Sequence, residues 1–150
     1  MKLRATGFAE VELEPCQVDN VVFACVHNAG RSQMAAAFFN RVADAGKARA
    51  LSAGTAPADR VHPVVIVAMR EVGIDLSSAT PRLLTPEIAR EVTWLVTMGC
   101  GASCPLVPGM QREDWLVDDP KGQSLERVRE IRDDIRRRVG NFVRKNGLQS

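Results

Sequence analysis

No run of apolar residues in this sequence approaches the ~20 that a membrane-spanning helix needs. The longest stretches, such as Val64 to Met69, stop far short of it, so no transmembrane helix is expected. No secretory signal is expected either: Lys2 and Arg4 are followed by Glu10, Glu12, Glu14 and Asp19 where such a signal carries an uninterrupted apolar core. Charge of one sign is scarce. Twenty basic residues against 18 acidic ones leave a formal charge of +2, too little to call for nucleic acid or an anionic membrane as partner. Any anion site therefore has to be local. There is no internal repeat, no low-complexity tract and no linker of pooled proline and glycine, which argues against a domain boundary.

What is present is ordinary for a globular chain: 150 residues, 45% hydrophobic and 25% charged. That length suits one domain, able to bury about two-thirds of its unfolded surface without disulfides or metal. Residues 20–150 are assigned to it, and residues 1–19, which alternate weakly around Val11 and Leu13, to an N-terminal arm or extra strand. A cytoplasmic location, where thiols stay reduced, is expected. The four cysteines are then catalytic, metal-binding or inert rather than a disulfide framework.

Val21, Val22, Phe23 and Ala24 form a short β-branched run ending at Cys25, the pattern of a buried parallel strand. A helix is predicted from Ser32 through Phe39, with Gly46 beyond its end. Ala48 to Ser52 reads as a second strand, and Pro63 opens a helical stretch running to Gly73. Thr85-Pro86-Glu87 combines a cap, a first-turn proline and an acid that suits the helix dipole, predicting a short helix to about Glu91. Val92 to Met98 is predicted as the third strand and Trp115, Leu116 and Val117 as the fourth. Ser124 to about Lys145 is an amphipathic helix with Leu125, Val128, Ile131, Ile135 and Val139 on one face. Strands alternating with helices predict an α/β fold, a parallel sheet with helices on both faces that binds ligands beyond the carboxyl ends of its strands.

The chemistry gathers at one such end, in Cys25-Val26-His27-Asn28-Ala29-Gly30-Arg31-Ser32. A loop of five residues between a thiol and a guanidinium can turn successive N–H groups inward as an anion nest, aided by the N-terminus of the following helix. Arg31 can fork onto two oxygens of a tetrahedral anion, and the same positive field favours the thiolate of Cys25. Cys25 as a small buried hydrophobe and Arg31 as a solvated helix-start residue is the bland alternative, but the strand, the loop and the helix all fall where the chemistry needs them. His27 either braces the loop or lies exposed. Asn28 suits a left-handed turn that shapes the nest.

Around this loop the sequence resembles the arsenate reductases built on the low-molecular-weight tyrosine phosphatase fold. The resemblance covers Val21 to Ala36, Ser52-Ala53-Gly54-Thr55, Gly73-Ile74-Asp75-Leu76-Ser77, Val96-Thr97-Met98-Gly99-Cys100, Cys104-Pro105, Asp114-Trp115 and Asp118-Asp119-Pro120. It implies a four-stranded parallel sheet, with Cys25 as nucleophile, Val26 to Arg31 as the oxyanion cradle and Ser32 as hydrogen-bond donor to the thiolate. It also implies a general acid before Pro120, Asp119 in preference to Asp118; a solvated turn carboxylate is the alternative for either.

Reductase and phosphatase share a first step and part at the second, where a phosphatase admits water and a reductase needs another thiol. Cys100 and Cys104 follow the third predicted strand, on the edge that carries Cys25. By resemblance to the thioredoxin-coupled branch, Cys100 attacks the nucleophile and Cys104 resolves that disulfide, although better-known members place more residues between the two. Gly101 supplies backbone freedom for the movement. Zinc is the other reading of clustered cysteines, but no second Cys/His pair completes four ligands, so no metal site is expected. Cys16 has no motif around it. The expected reductant is thioredoxin, with mycothiol or glutathione as alternatives, and no bound cofactor. The expected substrate is arsenate and the expected state a monomer.

Against a tyrosine phosphatase, the chain has no tyrosine, and Lys121 and Gly122 stand where those phosphatases carry an aromatic pair after Asp-Pro. Trp115 is the one candidate aryl platform, and it reads better as a core residue. Reductases that bind potassium near the loop use a carboxylate that aligns with Ala36, so no potassium dependence is expected. A phosphomonoesterase working through a Cys25 phosphoenzyme stays open as a second reading, and a non-catalytic oxyanion-binding or regulatory protein as a third.

Overall fold

The computed structural model describes residues 18–99 and 110–149. The arm and Cys16, Cys100 and Cys104 lie outside them, except that Val18 and Asp19 are included. The elements run β1 (Asp19–Cys25), α1 (Arg31–Val42), β2 (Ala48–Gly54), α2 (Pro63–Arg70), α3 (Pro86–Arg90), β3 (Trp94–Thr97), β4 (Gln111–Asp114) and α4 (Leu125–Lys145). Four strands form one sheet in the order β2-β1-β3-β4, every pair parallel.

β1 is central because it can be: Val21 to Cys25 are all buried, so both faces of the strand are covered. One face packs Val21, Phe23 and Cys25 against α1, α2 and α4. Phe23, Phe39, Trp94, Trp115 and Phe142 form a connected aromatic cluster there, with ring centroids 5.1–6.2 Å apart, a spacing at which aromatic pairs add to simple burial. The other face is thinner. Val22, Ala24, Ala53 and Leu95 are covered by Leu84, Ile88 and Val92, from α3 and the chain on either side of it.

The cap expected at Thr85 forms, Ile88 N–H donating to Thr85 Oγ1 at 3.2 Å, and α4 gains one the sequence reading did not single out, Arg127 N–H donating to Ser124 Oγ at 3.1 Å. The fourth strand is a correction. It spans Gln111–Asp114, not Trp115 to Val117. As an edge strand, β4 is half-exposed along its length and made of polar and charged residues, so hydrophobicity does not mark it. The apolar run follows the strand instead. Trp115 turns into the aromatic cluster, Val117 is buried, and Leu116 is 92% exposed.

On the far side of α4, Arg132 is buried and donates to Ala68 O (2.9 Å) and Glu71 Oε1 (2.9 Å), while Arg129 donates Nη2 to Glu71 Oε2 at 2.7 Å. Glu71 thus ties the end of α2 to α4. The hydrogen bond from Arg129, reinforced by Arg132, holds its carboxyl down from the ordinary 4.5 to about 2. A depressed carboxyl stabilises the fold above its unfolded value and loses that contribution as pH falls through its folded one. Glu71→Gln is therefore expected to melt below the parent at pH 7, with the gap narrowing from pH 4.5 and closing near pH 2. Thermal melts across that range check it, and a constant gap would contradict it.

Candidate active site

Cys25 is the last residue of β1, and the loop after it rises from the carboxyl edge of the sheet into α1. Its carbonyls all find donors outside the nest. Cys25 O accepts Thr55 N–H (3.2 Å), Val26 O accepts Ala56 N–H (2.8 Å), His27 O accepts Ala58 N–H (2.9 Å) and Ala29 O accepts His62 N–H (3.0 Å). Gly30 O accepts Met34 N–H at 3.0 Å as the first bond of the helix, and Asn28 O accepts Gln33 Nε2–H at 3.1 Å. With six consecutive carbonyls engaged this way, none of them consumes an N–H of the loop itself. Asn28 N–H donates to Cys25 Sγ at 3.3 Å. α1 has no side-chain cap and no acid in its first turn, so its own orphan N–H groups add to the positive end.

Two glycines make room for this. A Cβ on Gly54 would lie 2.6 Å from Val26 O and 3.0 Å from Asn28 N, and one on Gly30 would lie 2.6 Å from Pro120 Cγ. The Ser52-Ala53-Gly54-Thr55 motif thus lets β2 lie against the loop. Gly30 lets the Asp119-Pro120 segment settle on top of it.

Cys25 is the one cysteine among the described residues, and it is unpaired and buried. Its sulfur lies 2.9 Å from Ser32 Oγ. Asn28, at φ +51°, donates Nδ2–H to Ser32 Oγ at 2.7 Å, while its Oδ1 accepts Arg82 N–H (2.9 Å) and Gln33 Nε2–H (3.2 Å). Since the backbone N–H can only donate, the atom facing it is oxygen, the amino group faces Ser32, and the Ser32 proton is left for the sulfur.

Arg31 donates Nη1–H to Val117 O at 3.1 Å and sets Nη2 3.7 Å from Asp119 Oδ2. Asp119 also accepts Lys121 N–H at 3.0 Å. Asp118 turns away to pair with Arg127. The two adjacent carboxylates are thus separated by their partners, with Asp119 at the site and Asp118 outside it. His27 braces the loop, its Nδ1 3.2 Å from Ala56 O. His62 stands beside Gly30 and is pushed below its ordinary 6.5 by burial, against an opposing pull from Asp119. Sequence reasoning missed the segment from Thr55 to His62 and the Arg82 N–H, because backbone donors leave no mark in residue type, and it missed Gln33, whose side-chain amide is visible in the sequence. Among the described residues no group of His, Cys, Asp or Glu is arranged to hold a metal.

A strand-end thiol, an inward-facing N–H loop and a guanidinium at its rim agree with what the family model for low-molecular-weight phosphotyrosine protein phosphatases finds, which matches residues 20–149. The chain belongs to that family. Among curated relatives, a provisionally named arsenate reductase of Halobacterium salinarum is 44% identical over 78% of this chain and 85% of its own length. The glutaredoxin arsenate reductase of a Synechocystis strain is 39% identical over 83% of this chain and 96% of its own. The structure of a thioredoxin-dependent arsenate reductase of Corynebacterium glutamicum superposes with a TM-score of 0.74 at 37% identity, covering 85% of this chain and 61% of that one.

Within this phosphatase-family frame, Gly99 sets the position of the guanidinium. Its φ is +104°, and a Cβ there would come within 2.7 Å of Arg31 Nη1. Gly99→Ala is expected to displace Arg31 and weaken inorganic phosphate binding about tenfold or more, the scale of a lost charge-assisted contact. Calorimetric titration with phosphate checks this; unchanged affinity would remove Arg31 from the anion site.

Proposed function

We propose that the protein reduces arsenate to arsenite, with Cys25 as nucleophile and Cys100 and Cys104 as the thiol relay. The observation that carries the first step is the loop whose carbonyls are all engaged outside it, with the Asn28 N–H and the Ser32 hydroxyl on the Cys25 sulfur and Arg31 at the rim. Arsenate binds as a tetrahedral anion in that nest, and Arg31 takes two of its oxygens. The Cys25 thiolate, receiving the Ser32 and Asn28 hydrogen bonds, attacks arsenic. Asp119 gives its proton to the departing oxygen, which leaves as water.

The second step turns on thiols, as the names of the relatives suggest. Cys100 attacks the Cys25 sulfur, and the pair of electrons in the sulfur–arsenic bond passes to arsenic, which leaves as trivalent arsenite. A Cys25–Cys100 disulfide results. Cys104 attacks Cys100, Cys25 departs as thiolate, and a Cys100–Cys104 disulfide remains for an external dithiol to reduce. Two thiols are oxidised for each arsenic reduced, so no resident cofactor is needed. Thioredoxin is the reductant we assign. The relatives are named for both thioredoxin and glutaredoxin, so glutathione with glutaredoxin, and mycothiol, are the competing donors. The protein acts as a monomer in the cytoplasm, where such donors are kept reduced; among the described residues no helix is long and apolar enough to cross a membrane.

Arsenite formation measured with thioredoxin, thioredoxin reductase and NADPH tests the whole sequence. Cys25→Ser should form none, Cys100→Ser should not turn over, and Cys104→Ser should release about one arsenite per chain and stop, as expected when the resolving thiol is missing. Asp119→Asn should lower kcat by roughly 10²–10⁴ while Asp118→Asn stays near the parent. Arsenite formation by Cys25→Ser would overturn the assignment. Hydrolysis of p-nitrophenyl phosphate with no arsenite from any donor would favour the phosphatase reading.

A further inference from the structure

Five of the six outward-facing loop carbonyls are held by main-chain N–H groups, and the remaining one, that of Asn28, by a side chain. We propose that this side chain, Gln33, is a positioning residue for the nucleophile: by gripping both oxygens of Asn28 it keeps the Ser32 proton directed at Cys25. The proposal rests on the reading of Cys25 as the reactive thiol.

Gln33 is buried, one residue beyond Ser32 in the first turn of α1, and it does not touch the sulfur. Its Nε2 lies 3.1 Å from Asn28 O, 3.2 Å from Asn28 Oδ1 and 3.5 Å from Thr80 O. An amino group carries two protons, so one is shared between the two Asn28 oxygens and the other points to Thr80. Both ends of Asn28 are therefore clamped by one group. Remove it and the buried carbonyl of a residue held at φ +51° loses its donor. At the same time Asn28 Oδ1 keeps only the Arg82 N–H. Its amino group is then freer to leave Ser32, and a hydroxyl without that fixed donor can turn its single proton elsewhere. The sulfur then loses its directed hydroxyl donor.

The test follows alkylation of Cys25 by iodoacetamide in the reduced full-length chain, site-resolved by peptide mass spectrometry, from pH 5 to pH 10. Gln33→Met keeps the length of the side chain and removes its N–H groups. It should slow Cys25 alkylation about 3- to 10-fold at pH 7, the worth of a hydrogen bond or two, and match the parent at pH 10, above the ordinary range of cysteine thiols. Ser32→Ala/Gln33→Met should be no more than slightly slower than Ser32→Ala alone, since residues acting through one chain do not add. Gln33→Leu serves if Gln33→Met does not fold, with the same expectations. A parent-like rate at pH 7, a deficit that persists at pH 10, or fully additive losses would each overturn the proposal. No arsenate enters the assay, so a failure of the reductase reading and a failure of this one are told apart.

Discussion

The direction of six carbonyls is the constraint on which the site depends. A loop between a buried strand and a helix has to satisfy every main-chain polar group it buries. Here the acceptors are spent outward, on Thr55, Ala56, Ala58, His62, Met34 and Gln33, and the donors are left for whatever occupies the concave side. Each such bond adds a net ~0.5–1.5 kcal/mol, whereas a buried donor left unpaired costs about 1–3 kcal/mol. The structure thus stabilises a surface that is unfavourable until an acceptor arrives, and a tetrahedral oxyanion supplies several acceptor oxygens at once. Gly54 and Gly30 serve the same end by letting β2 and the Asp119-Pro120 turn come closer than any Cβ would permit.

From that arrangement the division between the two neighbouring aspartates follows. Pro120 sits on Gly30, so the residue just before it is carried over the loop and meets Arg31, while the residue one step earlier points to the other side and meets Arg127 on α4. Arg31 is fixed from below by Val117 O and crowded by Gly99. A single guanidinium therefore links the anion nest, the end of β3 and the acid-bearing turn, and none of the three can shift without the others.

The parts of this that side chains announce were legible beforehand. The β1 run, the Thr85 cap, the α4 stripe and the loop with its left-handed Asn28 all stand where the residue types pointed. What stayed hidden has a common cause. β4 is Gln-Arg-Glu-Asp at a sheet edge, where hydrogen bonding and not burial makes the strand. The segment from Thr55 to His62 holds the loop with main-chain N–H groups that any residue except proline would offer. Arg82 contributes its backbone N–H and not its guanidinium. Gln33 could have been found, as a long amide directly before the apolar run Met34 to Phe39, had that position been asked for a partner.

The geometry of the nest belongs to the step that reductase and phosphatase share, so the choice between them rests on what surrounds it. Hydrolysis of an aryl phosphate needs a flat apolar wall beside the nest. This chain has no tyrosine, and Trp115 is committed to Phe23 and Phe142 in the core. Reduction needs a thiol within reach of the Cys25 sulfur. β3 ends beside Ala24, the residue before Cys25, and two residues later Gly99 lies against the Arg31 guanidinium. Cys100 is the next residue in the sequence. The sequence thus supplies a second thiol after β3 and lacks the aromatic residues an aryl phosphatase would use, and it is this exchange of one second-step requirement for the other that favours arsenate.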